Sequence, residues 1–137
     1  MKIRINEVYK KDFLVSESMV YNFAECTGDE NPVHLNEEFA EKTIFGRRIA
    51  HGFLVGSLIS TVLGNYFPGN GTIYVSQTMR FLKPVYLNDN ITVIVEVLEV
   101  TDKKWLRLRT SCIKSNNENV IEGEALIIPP KNFQIVI

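Results

Sequence analysis

Thr27-Gly28-Asp29-Glu30-Asn31-Pro32-Val33-His34 brings a carboxylate, a carboxamide and an imidazole within six positions. A carboxylate near an imidazole is the minimum equipment for moving a proton to or from a substrate. The same pair also serves as a structural clamp, with a His bonded to an Asp to hold a turn. Asp is itself a favoured N-cap and turn residue. Gly28 can take the left-handed conformation that ends a helix. Pro32 fixes its own φ and pushes Asn31 away from helical geometry. The segment is expected as a stiff turn aiming Asp29, Asn31 and His34 in one direction.

The elements around this turn follow from periodicity. Ile3 to Val15 reads as an extended lead-in. Ser16 can cap a helix from Glu17 to about Cys26, whose Met19, Val20, Phe23 and Ala24 fall at helical spacing. Asn36 caps a short helix through about Lys42, with Phe39 and Ala40 facing inward. A longer helix begins near His51 and runs to about Tyr66. It is apolar nearly all round, the pattern of a buried helix. Gly52, Gly56, Ser60 and Gly64 recur every four residues along it. That stripe permits close approach of a backbone or a ligand, and tight packing on a sheet reads equally well for Gly56 and Gly64. After the loop Phe67-Pro68-Gly69-Asn70-Gly71 the chain alternates as strands over 73–81, 91–100, 105–113 and 120–128. Pro129-Pro130 stops the last one, and the tail to Ile137 has no assigned place. One long buried helix followed by antiparallel strands makes an α+β architecture in which the sheet wraps the helix.

The chain has 137 residues, one ordinary domain, with 45% hydrophobic and 23% charged residues. A net charge of −1 gives no support to nucleic-acid or membrane-surface binding. Cys26 and Cys112 lack metal-site spacing and read as buried free thiols in a reducing compartment. The N-terminus has no signal-peptide pattern, and the longest apolar stretch, 53–63, is too short to span a bilayer. The chain is therefore read as cytoplasmic.

This combination resembles the MaoC-like, hot-dog-fold (R)-specific enoyl-CoA hydratases. The motif at 27–34 is similar to the family's hydratase motif, in which Asp and His stand five apart. Ile49-Ala50-His51-Gly52-Phe53-Leu54 resembles the family's entry into the central helix. Pro68-Gly69-Asn70-Gly71 and Phe81-Leu82-Lys83-Pro84-Val85 match as well. The resemblance covers roughly residues 8–128. Asn88 precedes Asp89 where a glycine is more usual, and the tail after Pro130 lies outside the pattern.

The resemblance implies a single hot-dog domain over 1–137, an antiparallel sheet wrapped around the central helix. It implies reversible syn addition of water to a trans-2-enoyl thioester, giving the (R)-3-hydroxyacyl product. Coenzyme A or acyl carrier protein would carry the acyl group, and no metal or redox cofactor takes part. It also implies a homodimer, or a dimer of dimers, with each active site at a subunit interface.

Asp29 and His34 are the expected catalytic pair, sharing one water. The backbone N–H of Gly52 is the candidate oxyanion donor. N–H groups at a helix start are unpaired, and the dipole there favours negative charge; the plain alternative is that Gly52 merely begins the helix. Asn31 is expected to hold the water or orient Asp29. Ser60 is expected to support the site, or else to bond back to its own helix. His51 reads as a structural histidine. Arg47, Arg48, Arg80 and Lys83 are candidates for the coenzyme phosphates, each also readable as a plain surface charge. The acyl chain is expected along the central helix and the strand that follows. Two rival functions stand: a hot-dog acyl-CoA thioesterase, and a non-catalytic acyl-CoA-binding subunit.

Overall fold

The structure, a computed structural model, describes residues 2–136. The chain runs β1 (Lys2–Arg4), β2 (Val8–Leu14), α1 (Glu17–Thr27), α2 (Pro32–Leu35), α3 (Glu37–Glu41) and α4 (Gly52–Asn65). It continues with β3 (Ile73–Gln77), β4 (Arg80–Phe81), β5 (Asn90–Val100), β6 (Leu106–Lys114), β7 (Asn119–Ile128) and β8 (Gln134–Val136). The main sheet is antiparallel, in the order β2-β5-β6-β7-β3, and β4 also pairs with β7.

α4 is the axis of the core. Its buried residues Leu54, Val55, Leu58, Ile59, Val62 and Leu63 fall on one face, and Ser57, Ser60 and Asn65 are exposed, so the helix is covered on one side and not all round as expected. Strands with period-two alternation supply the cover. On β5 the inward residues Ile91, Val93, Val95 and Val97 are each fully buried. Leu106, Leu108 and Cys112 do the same on β6. These residues and α4 form one continuous cluster, as the hot-dog reading requires. No described helix is long and apolar enough to cross a membrane.

Several expectations are corrected. The strand expected over 73–81 is broken between β3 and β4. There the backbone of Thr78 crosses directly over Gly123 of β7. A Cβ on Gly123 would stand 1.8 Å from the Thr78 carbonyl oxygen. The Thr78 N–H donates to the Glu124 carbonyl at 2.8 Å, which locks the crossing. Phe39 does not face inward; it is 48% exposed, because so short a helix buries only Ala40. Cys26 is exposed on α1, whereas Cys112 is buried and its thiol is pushed up to about 12 by desolvation. A Cβ on Gly64 would meet nothing within 4 Å, so the expected tight packing on the sheet is absent there. The tail acquires a place: β8 pairs in parallel with β1, with Ile3 opposite Ile135. Ile137, at its end, lies outside the described residues, as does Met1.

The two glycines separate contact from propensity. Gly123→Ala should destabilise the fold by about 3 kcal/mol, because backbone must move to admit the methyl group. Gly64→Ala should instead stabilise it by about 0.5–1 kcal/mol, the helix preference of Ala over Gly. Urea unfolding of both variants checks this; a Gly123→Ala protein as stable as wild type would contradict the crossing.

Candidate active site

The motif folds as two caps back to back. Gly28, at φ 80°, ends α1, and its N–H donates to the Ala24 carbonyl. The Thr27 hydroxyl donates to the Phe23 carbonyl at 2.7 Å and accepts from the Asp29 N–H at 3.2 Å. Asn31 then caps α2, its Oδ1 accepting from the Val33 N–H at 3.2 Å. Pro32 sits in the first turn of α2, where a missing N–H costs nothing. The expected turn is therefore half helix, and His34 rides on α2. The Asn31 carboxamide is engaged as a cap. It is the Asn31 N–H that reaches the Asp29 carboxylate, at 3.5 Å.

Main-chain carbonyls orient both histidines. His34 Nδ1 lies 2.7 Å from the Ile49 carbonyl, which can only accept. Nδ1 therefore carries the proton in neutral His34, and Nε2 keeps a lone pair. His51 Nε2 likewise donates to the Asp29 carbonyl at 2.9 Å. Its Nδ1 is buried without a partner. The two rings lie 3.9 Å apart with a 32° tilt, and Phe23 packs on His51 at 4.8 Å. His51 thus ties the start of α4 to the turn bearing Asp29, the structural role expected of it. Burial lowers the His34 pKa below the ordinary 6.5, and the charge of a protonated His51 adds to this. The Ile49 hydrogen bond and Asp29 oppose the shift.

Asp29, His34 and His51 each offer a ligand atom within 4.8 Å of the others. Each ring has one nitrogen bonded to a main-chain carbonyl, which leaves His34 Nε2 and His51 Nδ1 as the free ring nitrogens.

Asp29, His34 and Gly52 line one cavity of about 450 Å³. Its remaining walls are mainly apolar, Phe53, Val55, Phe81 and Ile121 among them. Gly52 is the first residue of α4, and His51 gives that end no side-chain cap. A Cβ on Gly52 would meet the Phe81 ring at 2.8 Å, so any larger residue there must displace that half-exposed ring.

The other expected residues divide. Lys83 lines the same cavity. Arg80 is exposed on β4. Arg47 stacks over the Tyr86 ring at 4.0 Å and borders a small cleft. Arg48 is corrected: its guanidinium donates to Glu17, Glu37 and the Tyr21 hydroxyl, tying α1 to α3, and is not free for a phosphate. Ser60 is corrected as well. Eight residues beyond Gly52, it lies about 12 Å farther along the helix axis and lines a different space. The cavity walls from Ile49 and Ile121 escaped the sequence reading, because apolar residues carry no chemical signature, whereas Val55 lies on the central helix where the acyl chain was expected. His51 had one signal, a polar residue at the entry to an apolar helix.

Residues 4–119 match the family described as MaoC like domain. A 3-hydroxybutyryl-CoA dehydratase of Methylorubrum extorquens is 46% identical over 96% of this chain and 82% of its own length. An (R)-specific enoyl-CoA hydratase of Rhodospirillum rubrum is 45% identical over 85% of this chain and 81% of its own. Among solved structures, the unliganded R-hydratase PhaJ1 of Pseudomonas aeruginosa superposes with a TM-score of 0.91 at 39% identity. That match covers 95% of this chain and 84% of the other. With its hot-dog architecture and its Asp–His motif on the cavity wall, the chain belongs to the MaoC-like domain family.

Proposed function

We propose that this protein is an (R)-specific enoyl thioester hydratase, working equally as a 3-hydroxyacyl thioester dehydratase. The observation that carries the reading is the shared cavity: Asp29, His34 and the open α4 N-terminus at Gly52 line one mainly apolar space. The similarity to named hydratases and dehydratases at 45–46% identity supports it.

In the proposed reaction Asp29 and His34 hold one water. The pair removes a proton as the water oxygen bonds to C3 of the enoyl group. It returns a proton to C2 on the same face, so the addition is syn and the protein's own proton count is unchanged. Negative charge grows on the thioester oxygen as C3 is attacked, and the Gly52 N–H is the donor placed for it. A donor of this kind is worth about 10²–10³ in turnover. His34 enters neutral, with its Nε2 lone pair as the base. The reaction asks for no metal or redox group.

Coenzyme A is the proposed carrier, with Lys83 at the cavity and Arg47 and Arg80 outside it for phosphate. A homodimer suits the edge of the sheet. β3 has one sheet neighbour and exposes Ile73, Tyr74 and Val75, and an edge of this kind calls for a cover. Free thiols suit a cytoplasmic setting.

The pair is tested with crotonyl-CoA, by loss of the conjugated thioester absorbance and by product stereochemistry. Asp29→Asn and His34→Ala should each lower turnover by about 10²–10⁴-fold while still folding. Release of free coenzyme A would mark a thioesterase instead.

The pH dependence has a fixed sign. His34 is neutral above its lowered pKa and loses its base below it. The acid limb of kcat/KM should therefore fall with a midpoint below 6.5. Nuclear magnetic resonance titration of His34 should show the same midpoint. Asp29→Asn should move that midpoint down, and His51→Phe should move it up, because Asp29 raises the pKa and His51 lowers it. An unshifted midpoint in both variants would contradict the assigned contacts.

A further inference from the structure

Beyond Phe53 lies a second space of about 310 Å³, bordered by Gly56 and Ser60 of α4 and by Tyr74 and Val75 of β3. Phe53 borders both spaces. Met79, in the break between β3 and β4, lines the second space. A Cβ on Gly56 would lie 2.7 Å from Met79 Sδ and 3.2 Å from its Cε. The same point is 4.0 Å from Ile121 Cδ1, and Ile121 lines the catalytic cavity. The end of the Met79 side chain therefore rests on the bare backbone of α4 at the passage from one space to the other.

The neighbouring residues do not close that passage. Phe53 is 67% exposed and leans on Phe81, with ring centroids 5.7 Å apart, so it flanks the passage from outside. Met79 is half-buried and packs against the core. A methionine is unbranched and has soft rotamers, so it can seal a gap and also withdraw from it.

We propose that Met79 sets the acyl-chain length this protein accepts, by closing the catalytic cavity against the second space. Short acyl groups fit on the near side. Longer ones pass over Gly56 into the second space only when Met79 swings away. The inference rests on the hydratase reading above and adds to it the specificity-determining residue.

The test compares wild type with Met79→Ala and Met79→Val, each confirmed as folded by circular dichroism. Hydration of crotonyl-CoA and trans-2-octenoyl-CoA gives a ratio of kcat/KM values. Met79→Ala should raise the octenoyl-to-crotonyl ratio about tenfold, the worth of burying roughly two of the added methylenes. Met79→Val should give an intermediate rise. Calorimetric binding of the unreactive butyryl-CoA and octanoyl-CoA supplies a readout free of chemistry. Here Met79→Ala should tighten octanoyl-CoA selectively. A ratio within about twofold of wild type in both variants, with no selective gain for octanoyl-CoA, overturns the proposal. So does a wild type that handles octenoyl-CoA as well as crotonyl-CoA. Absence of turnover in the wild type would instead strike the hydratase reading, and the binding arm would still decide the gate.

Discussion

The structure depends on one constraint: α4 carries a broad apolar face along its whole length that must be taken out of water. Half of its residues are buried, Leu54, Val55, Leu58, Ile59, Val62 and Leu63 among them, while Phe53, Ser57 and Ser60 on the outer side are exposed. Only a sheet that curves past its flanks can take that surface out of water, which is why β5, β6 and β7 carry inward runs of fully buried residues. A sheet covers the sides of a helix, however, and not its end. The first N–H groups of α4 remain without helical partners, and His51 offers no side-chain cap. A dry, sealed end there would be costly, because buried main-chain donors demand partners. The fold leaves a cavity at that point, and an oxygen of a bound molecule can serve as the missing acceptor. The demand of the core and the demand of the chemistry meet at Gly52.

What was legible in the sequence was local. The α1 cap at Ser16, the apolar run of α4 and the alternation of β5 each depend on neighbours within one element. The Asp29–His34 motif belongs to the same class, since its spacing and its Gly and Pro are all in one stretch. What was not legible came from distant pairs. The break between β3 and β4 exists because Thr78 crosses Gly123, and nothing near residue 78 announces it. The tail has its place because β8 meets β1 at the other end of the chain. Arg48 looked like a free cation beside Arg47 but is enclosed by Glu17, Glu37 and Tyr21 from two other helices. Ser60 failed for a different reason. A four-residue stripe gives a shared face, but each step along it also rises about 6 Å, and that rise carries Ser60 out of the cavity.

The pair at the site divides its work through environment. Asp29 is exposed on a turn, and His34 is buried on α2. Burial penalises the imidazolium, so His34 rests neutral, and the Ile49 carbonyl decides which nitrogen keeps the lone pair. In the proposed reaction a base of this kind would accept a proton for an instant, and the Asp29 charge would oppose the penalty at that moment. His51 works in the other direction. Charge on His51 penalises charge on His34, and its donated hydrogen bond holds the main chain of Asp29 in place. Two neighbours with opposite effects thus set His34 from either side. A proton can pass through the pair without coming to rest there, which is what a reversible addition requires of its acid and base.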